Sequence, residues 1–478
     1  MPFEFIDNNS IDSAARKRIR SHAALGKNAG RTLARSSRKK AQAPRVMTAT
    51  TLIRIPKTVQ DAFLADRNED AVPEIERQVA DGVCFPVQLA SESRRLAQRV
   101  FHFLSGPRFA PELNNAIDCT GTSVSIWVQY MLVDEAYFHC TIALSISAMN
   151  NLLCEKEDAT DAMRHLSRTF RIINERLTGN RAVSDETIAA VVGMAQYDRH
   201  QGEYSRGCIH IQGLRRMVAL RGGITKLASD RPTLTQKIFR IDLEYALQLG
   251  AEPIFTSADV EIGSRKMFSR NSFKRPKDKD AVNDCEAKLS RHFGDALWDL
   301  LLDVRHAASL INDCGASRRP KLNSFEFHDR LIRFGYQLLA INTLGGSRIS
   351  NALENFIHLG LAAFMMTFLR GLDRLIAENP LLSELARKAG QSYCGQDSEE
   401  QQTFLWFVLI GRSSIFREQD EEWLLPKMRQ TTEALGLHTW EDVREIVSIF
   451  PWVNSLHNKA GEELWRRCRE NGSSDPQG

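Results

Sequence analysis

The chain has 478 residues, 43% hydrophobic and 26% charged, a composition that excludes disorder throughout and a length too great for one minimal domain. Its net charge of +4 hides an asymmetry: residues 13–60 hold thirteen Lys or Arg and no acid, whereas the body that follows is mildly acidic. Such an asymmetry points to a polyanion partner or a targeting arm.

In the arm, Arg16 and Arg20 stand four apart, and Lys27, Arg31, Arg35 and Lys39 repeat the same spacing, which would align them on one face of a helix. Gly26 and Gly30 weaken that helix by roughly 1 kcal/mol each, so it needs a partner to form. Lys40 to Gln60, with Pro44 and Pro56, reads as a linker. Beyond residue 60 the texture is helical. The apolar stretch Trp127 to Leu153 is interrupted by Asp134, Glu135 and His139, too mixed for a membrane span. Leu166, Phe170, Ile173 and Leu177 form one amphipathic stripe, stopped by Gly179. Ile188, Val191, Val192 and Ala195 form the next behind Asp185 and Glu186, and Ile211, Leu214, Met217 and Val218 a third. Gly222-Gly223 closes that helix, with Arg221 expected to cap its last carbonyls.

Gly263 to Asp284 and Asn312 to Ser324 read as surface loops. Helices are expected over Leu297 to Leu310, Phe325 to Leu344, Ala352 to Leu369, Phe404 to Ile410, Glu421 to Leu435 and Trp440 to Phe450. Phe364 to Leu369 and Phe404 to Ile410 are apolar on every side and belong to buried helices. The expected fold is all-α: a basic arm and linker over residues 1–60, a large irregular superhelical body over 61–470, and a tail over 471–478.

Little in this body offers chemistry. The nine cysteines include no CxxC pair and the closest two are fourteen residues apart. With no signal peptide read at the start, they are expected to be reduced thiols of an intracellular protein. No HxxxH pair, no P-loop and no GxGxxG occurs, so no metal and no cofactor is expected. Ser392 in GQSYC and Ser123 in GTSVS come near a nucleophile elbow but lack its strand and second glycine, and read as structural loops. What remains is the arm. Arg16, Lys17, Arg18, Arg20, Lys27, Arg31, Arg35, Arg38, Lys39 and Lys40 can neutralise phosphates or serve as a nuclear-import signal; the plain alternative is a solvated tail. Pro44 and Pro56 exclude a basic leucine zipper.

The body resembles the helical regulatory region of the fungal-specific transcription factor family, which normally follows a Zn2Cys6 cluster. The resemblance lies in HCTIALSISAMNNL (139–152), AMRHLSRTFRIINERL (162–177), DETIAAVVGMAQYD (185–198) and HIQGLRRMVALRGGI (210–224). It continues in Arg240-Ile-Asp242 through Pro253-Ile-Phe255, in Leu405-Trp406, and in the opening FEFID followed by RKRIRSHAAL. It implies a non-catalytic, nuclear transcription regulator. The first cysteine in this sequence is Cys84, so the six-cysteine cluster within about thirty residues that a Zn2Cys6 reader needs is absent here. DNA contact through the arm, an import receptor, protein partners or a second copy of the chain are the expected partners, with no membrane. The alternatives are an adaptor for a separate DNA-binding protein and an all-α enzyme whose pocket is assembled from distant residues.

Overall fold

In the computed structural model the described residues are 111–118, 130–153, 159–268, 273, 275, 289–369, 379–395 and 397–470. The arm, the linker and the tail 471–478 lie outside them, as do Ser123 and Cys84. Within them the fold is all-α, and strand is limited to a two-residue parallel bridge, Ile117–Asp118 with Leu322–Asn323.

The motif-bearing stretches form consecutive helices: α1 (Glu135–Leu153), α2 (Ala159–Leu177), α3 (Asp185–His200), α4 (Tyr204–Leu220), α5 (Gly223–Asp230) and α6 (Pro232–Leu249). Each stripe becomes a buried face. Leu166 and Ile173 of α2, Ile188, Val191, Val192 and Ala195 of α3, and Ile211, Leu214, Met217 and Val218 of α4 are buried, while Leu177 is left 42% exposed beyond the last contact. Helix starts follow local capping. Ser184 accepts the Thr187 N–H ahead of α3, and Pro232 opens α6, where a missing N–H costs nothing. Gly222 and Gly223 turn α4 into α5 with φ of 104° and 86°, a region that penalises any side chain.

After α6 come α7 (Ser257–Met267), α8 (Asp295–Gly315), α9 (Ser324–Ile341) and α10 (Ala352–Leu369). They are followed by α11 (Pro380–Gln391), α12 (Ser398–Ser414), α13 (Glu421–Ala434), α14 (Trp440–Val447) and α15 (Asn454–Glu470). The loop expected over Gly263 to Asp284 begins later than its polarity suggests. A capping box between Thr256 and Asp259 nucleates α7, and Gly263 lies inside it, packed so closely on Phe239 that a Cβ would come within 2.9 Å of the ring. The second loop is likewise shorter, because α8 runs through Asn312 to Gly315 and Asn323 caps α9 through the Phe325 and Glu326 N–H groups.

Helix α1 packs against both α2 and α3, α3 packs against α4, and α6 joins α3 and α4 to α9. Helix α12 lies against α10, α13 and α15. Phe404 through Ile410 on α12 are fully buried, so this helix contacts protein on all sides. Trp406 stacks on Phe450 and donates its indole N–H to the Pro451 carbonyl at 3.0 Å. No helix among the described residues is long and apolar enough to cross a membrane.

Candidate functional site

The ten arm cations, Arg16 to Lys40, lie outside the described residues. What the structure brings together is a set of buried polar ties among the helices that carry the motifs. Each joins one helix to another helix or to the loop that follows it.

The first tie opens α1. Buried Asp134 accepts the Tyr137 N–H at 2.9 Å and pairs with Arg176 of α2 at 2.7 Å, so one carboxylate caps α1 and fastens α2 to it. One turn on, His139 and His165 face each other with Nδ1 atoms 2.7 Å apart. One ring must donate and the other accept, so in the neutral pair one Nδ1 carries its ring's proton and the other Nδ1 is bare, with that ring's proton on Nε2. Nε2 of His139 lies 3.7 Å from Glu135. Burial, then His165 and the charges of Arg168 and Arg171, push His139 down to about 4, and burial lowers His165 as well.

The second tie explains the Arg-Gly-Gly signature. Arg221 does not cap the carbonyls of its own helix, as the sequence suggested. Its Nη1 donates to the Val183 carbonyl and its Nη2 to the Asp185 carboxylate, both at 2.6 Å, and Arg231 pairs with the other oxygen of Asp185. The turn at Gly222 and Gly223 lets α4 end with its arginine aimed back at the start of α3. The backbone N–H of residue 221 closes α4 instead, donating to Met217 and Ala219.

A third cluster joins α3 to α4: Asp198 accepts from Arg206 at 2.6 Å and faces His210 Nε2 at 3.3 Å. The fourth binds α6 to the following loop. Asp242 accepts the N–H groups of Ile254 and Phe255, each at 2.9 Å, and the Tyr336 hydroxyl at 2.6 Å. Asp242 therefore closes the Asp242 to Phe255 part of the motif into one hydrogen-bonded unit. Burial pushes the Asp242 carboxyl up to about 6 against these three donors.

The ties use these carboxylates and arginines to hold helices together. Among the described residues no group of three or more His, Cys, Asp or Glu is placed to hold a metal. Cys140, Cys208, Cys314, Cys394 and Cys468 are free thiols. Ser392 follows a helix, where its hydroxyl donates to the Ala389 carbonyl, so it sits in a helix-terminal turn with no strand before it. Asp134, Asp198 and Asp242 were missed by sequence reasoning as structural partners. The available signal was an isolated acid inside or beside an apolar helical run.

Comparison with curated proteins and with solved structures gives no match. The four ties, apart from Tyr336, fall between Asp134 and Phe255, inside the segment where the chain is similar to a known family. The late Leu405-Trp406 helix and the opening FEFID lie beyond that segment. Residues 122–260 match the family model described as the fungal specific transcription factor domain.

Proposed function

We propose that this chain is a nuclear, non-catalytic regulator of transcription, with a helical body that serves as a regulatory scaffold and a basic arm that supplies attachment. One observation supports the reading above the others. The family match over residues 122–260 coincides with helices whose buried acids and arginines are committed to each other. A transcription factor domain built this way offers shape and surface for regulation, by a protein partner or a second copy of the chain.

Attachment falls to Arg16, Lys17, Arg18, Arg20, Lys27, Arg31, Arg35, Arg38, Lys39 and Lys40. With no acid between residues 13 and 60, they favour phosphate backbones without reading bases, and they equally suit an import receptor. The full chain and a deletion of residues 13–60 should be titrated with unrelated DNA duplexes at several salt concentrations. The full chain is expected to bind with a steep salt slope that the deletion abolishes. Equal affinity and slope in both proteins would remove DNA contact from the arm. A tagged deletion is expected to lose nuclear accumulation, and unchanged accumulation would remove the import role.

A further inference from the structure

Arg330, Arg333 and Arg348 each bury a side-chain nitrogen that has no acceptor. Arg330 and Arg333 still hold carboxylates, Asp303 at 3.3 Å and Glu261 at 2.6 Å. Arg348 differs. In the loop between α9 and α10 its partners are neutral: Nε and Nη2 donate to the Asn355 side-chain carbonyl at 3.2 and 2.7 Å, and Nη2 lies 3.4 Å from His358 Nδ1. No salt bridge to it is formed among the described residues, and its Nη1 is buried without an acceptor.

The neighbours are arranged to hold this guanidinium in place. Asn355 and His358 stand three apart on α10 and so share a face. His358 is fully buried and its Nε2 lies 2.8 Å from the Asn342 carbonyl, which requires a proton there and leaves the Nδ1 lone pair toward Arg348. Burial and then Arg348 hold His358 down to about 4, so it stays neutral at physiological pH. Burial alone pushes Arg348 below its ordinary value. A guanidinium nevertheless keeps its charge, and here a half-buried charge has no counter-charge beside it. Water would satisfy the Nη1 hydrogen bond but not the charge. An anion satisfies both.

We propose that Arg348, oriented by Asn355 and His358, is a binding site for a small oxyanion, a carboxylate or a phosphate, that meets its Nη1. Gly345, Gly346 and Ser347, which precede it in the same loop, are exposed and Arg348 itself is half-buried, so the site lies near the surface.

The test uses the full chain, with inorganic phosphate and acetate as probes and chloride at equal ionic strength as control. Thermal unfolding of the wild type is expected to rise by several degrees with phosphate, acetate or both, and calorimetric titration to show one site for the effective anion. Arg348→Met is expected to lose that rise while remaining as stable as the wild type in chloride. Asn355→Asp supplies the missing charge internally, so it is expected to stabilise the chain and abolish the anion response, which keeps the test valid if Arg348→Met folds poorly. An absent rise in the wild type, or the same rise in Asn355→Asp or in Arg348→Met, would overturn the proposal.

Discussion

Tyr245 of α6 and Gly207 of α4 compete for one volume: the tyrosine hydroxyl lies 1.6 Å from where a Cβ at position 207 would stand. The hydroxyl is fixed there, because it donates to the Ala195 carbonyl of α3 at 2.8 Å and is buried. The absence of a side chain at 207 therefore lets α6 lock α3 and α4 together. Gly207→Ala gains about 1 kcal/mol of helix propensity, but it forces a fixed aromatic ring to move, a cost of about 1–3 kcal/mol or more for so deep an overlap. Net destabilisation is expected in urea unfolding, and a variant as stable as the wild type would show that the ring can yield.

The amphipathic stripes predicted α2, α3 and α4 well because each residue of a stripe meets the core independently, so periodicity alone reports the outcome. The uninterrupted apolar run Phe404 to Ile410 announced a helix enclosed on all sides for the same reason. The polar ties were not legible. Asp185 and Arg221 are 36 residues apart, and His139 and His165 are 26 apart; nothing local in either member names the other. In the sequence Asp134 and His139 read only as interruptions of an apolar stretch, although they mark where that helix is fastened to its neighbour. A glycine in a polar stretch ordinarily signals a turn, so Gly263 reads as the start of a loop, whereas here it marks close helix contact with Phe239.

The histidine pair predicts an acid-side loss of stability. The ordinary histidine value of 6.5 is lowered to about 4 for His139 in the folded chain, so between these values the unfolded chain binds the extra proton. Its contribution is complete above about pH 6.5 and is lost as pH falls toward 4, by as much as about 3 kcal/mol. His139→Asn keeps a carbonyl acceptor for His165 without titrating, so its unfolding midpoint is expected to fall less over that range. Parallel pH profiles for the two proteins would show that His139 does not contribute the slope.

Asp242 has the opposite slope. Its carboxyl is raised from about 3.8 to about 6, so the folded chain holds the proton more tightly. The contribution is complete below about pH 4 and is lost as pH rises through 6, by about 3 kcal/mol at most. Asp242→Asn removes that titration at the cost of one acceptor for the Ile254 and Phe255 amides and the Tyr336 hydroxyl. The stability difference is expected to drift in favour of asparagine between pH 4 and 7, measured by denaturant unfolding at fixed ionic strength. A difference constant with pH would contradict an elevated carboxyl.

Arg221 offers a way to separate the body from the arm. Its guanidinium reaches two acceptors at once, the Val183 carbonyl and the Asp185 carboxylate, from two different nitrogens. A lysine carries the charge but not the fork, so Arg221→Lys keeps at most part of the ion pair and leaves the other acceptor without this donor. Asp185 retains Arg231, which limits the loss. The expected cost is about 1–3 kcal/mol for Arg221→Lys, with Arg221→Ala at the upper end or beyond, because Asp185 is buried. If attachment belongs to the arm, Arg221→Lys must lower the unfolding midpoint while leaving the salt slope of DNA binding unchanged at temperatures where it is folded. A change in that slope under folded conditions would assign the phosphate contact to the body.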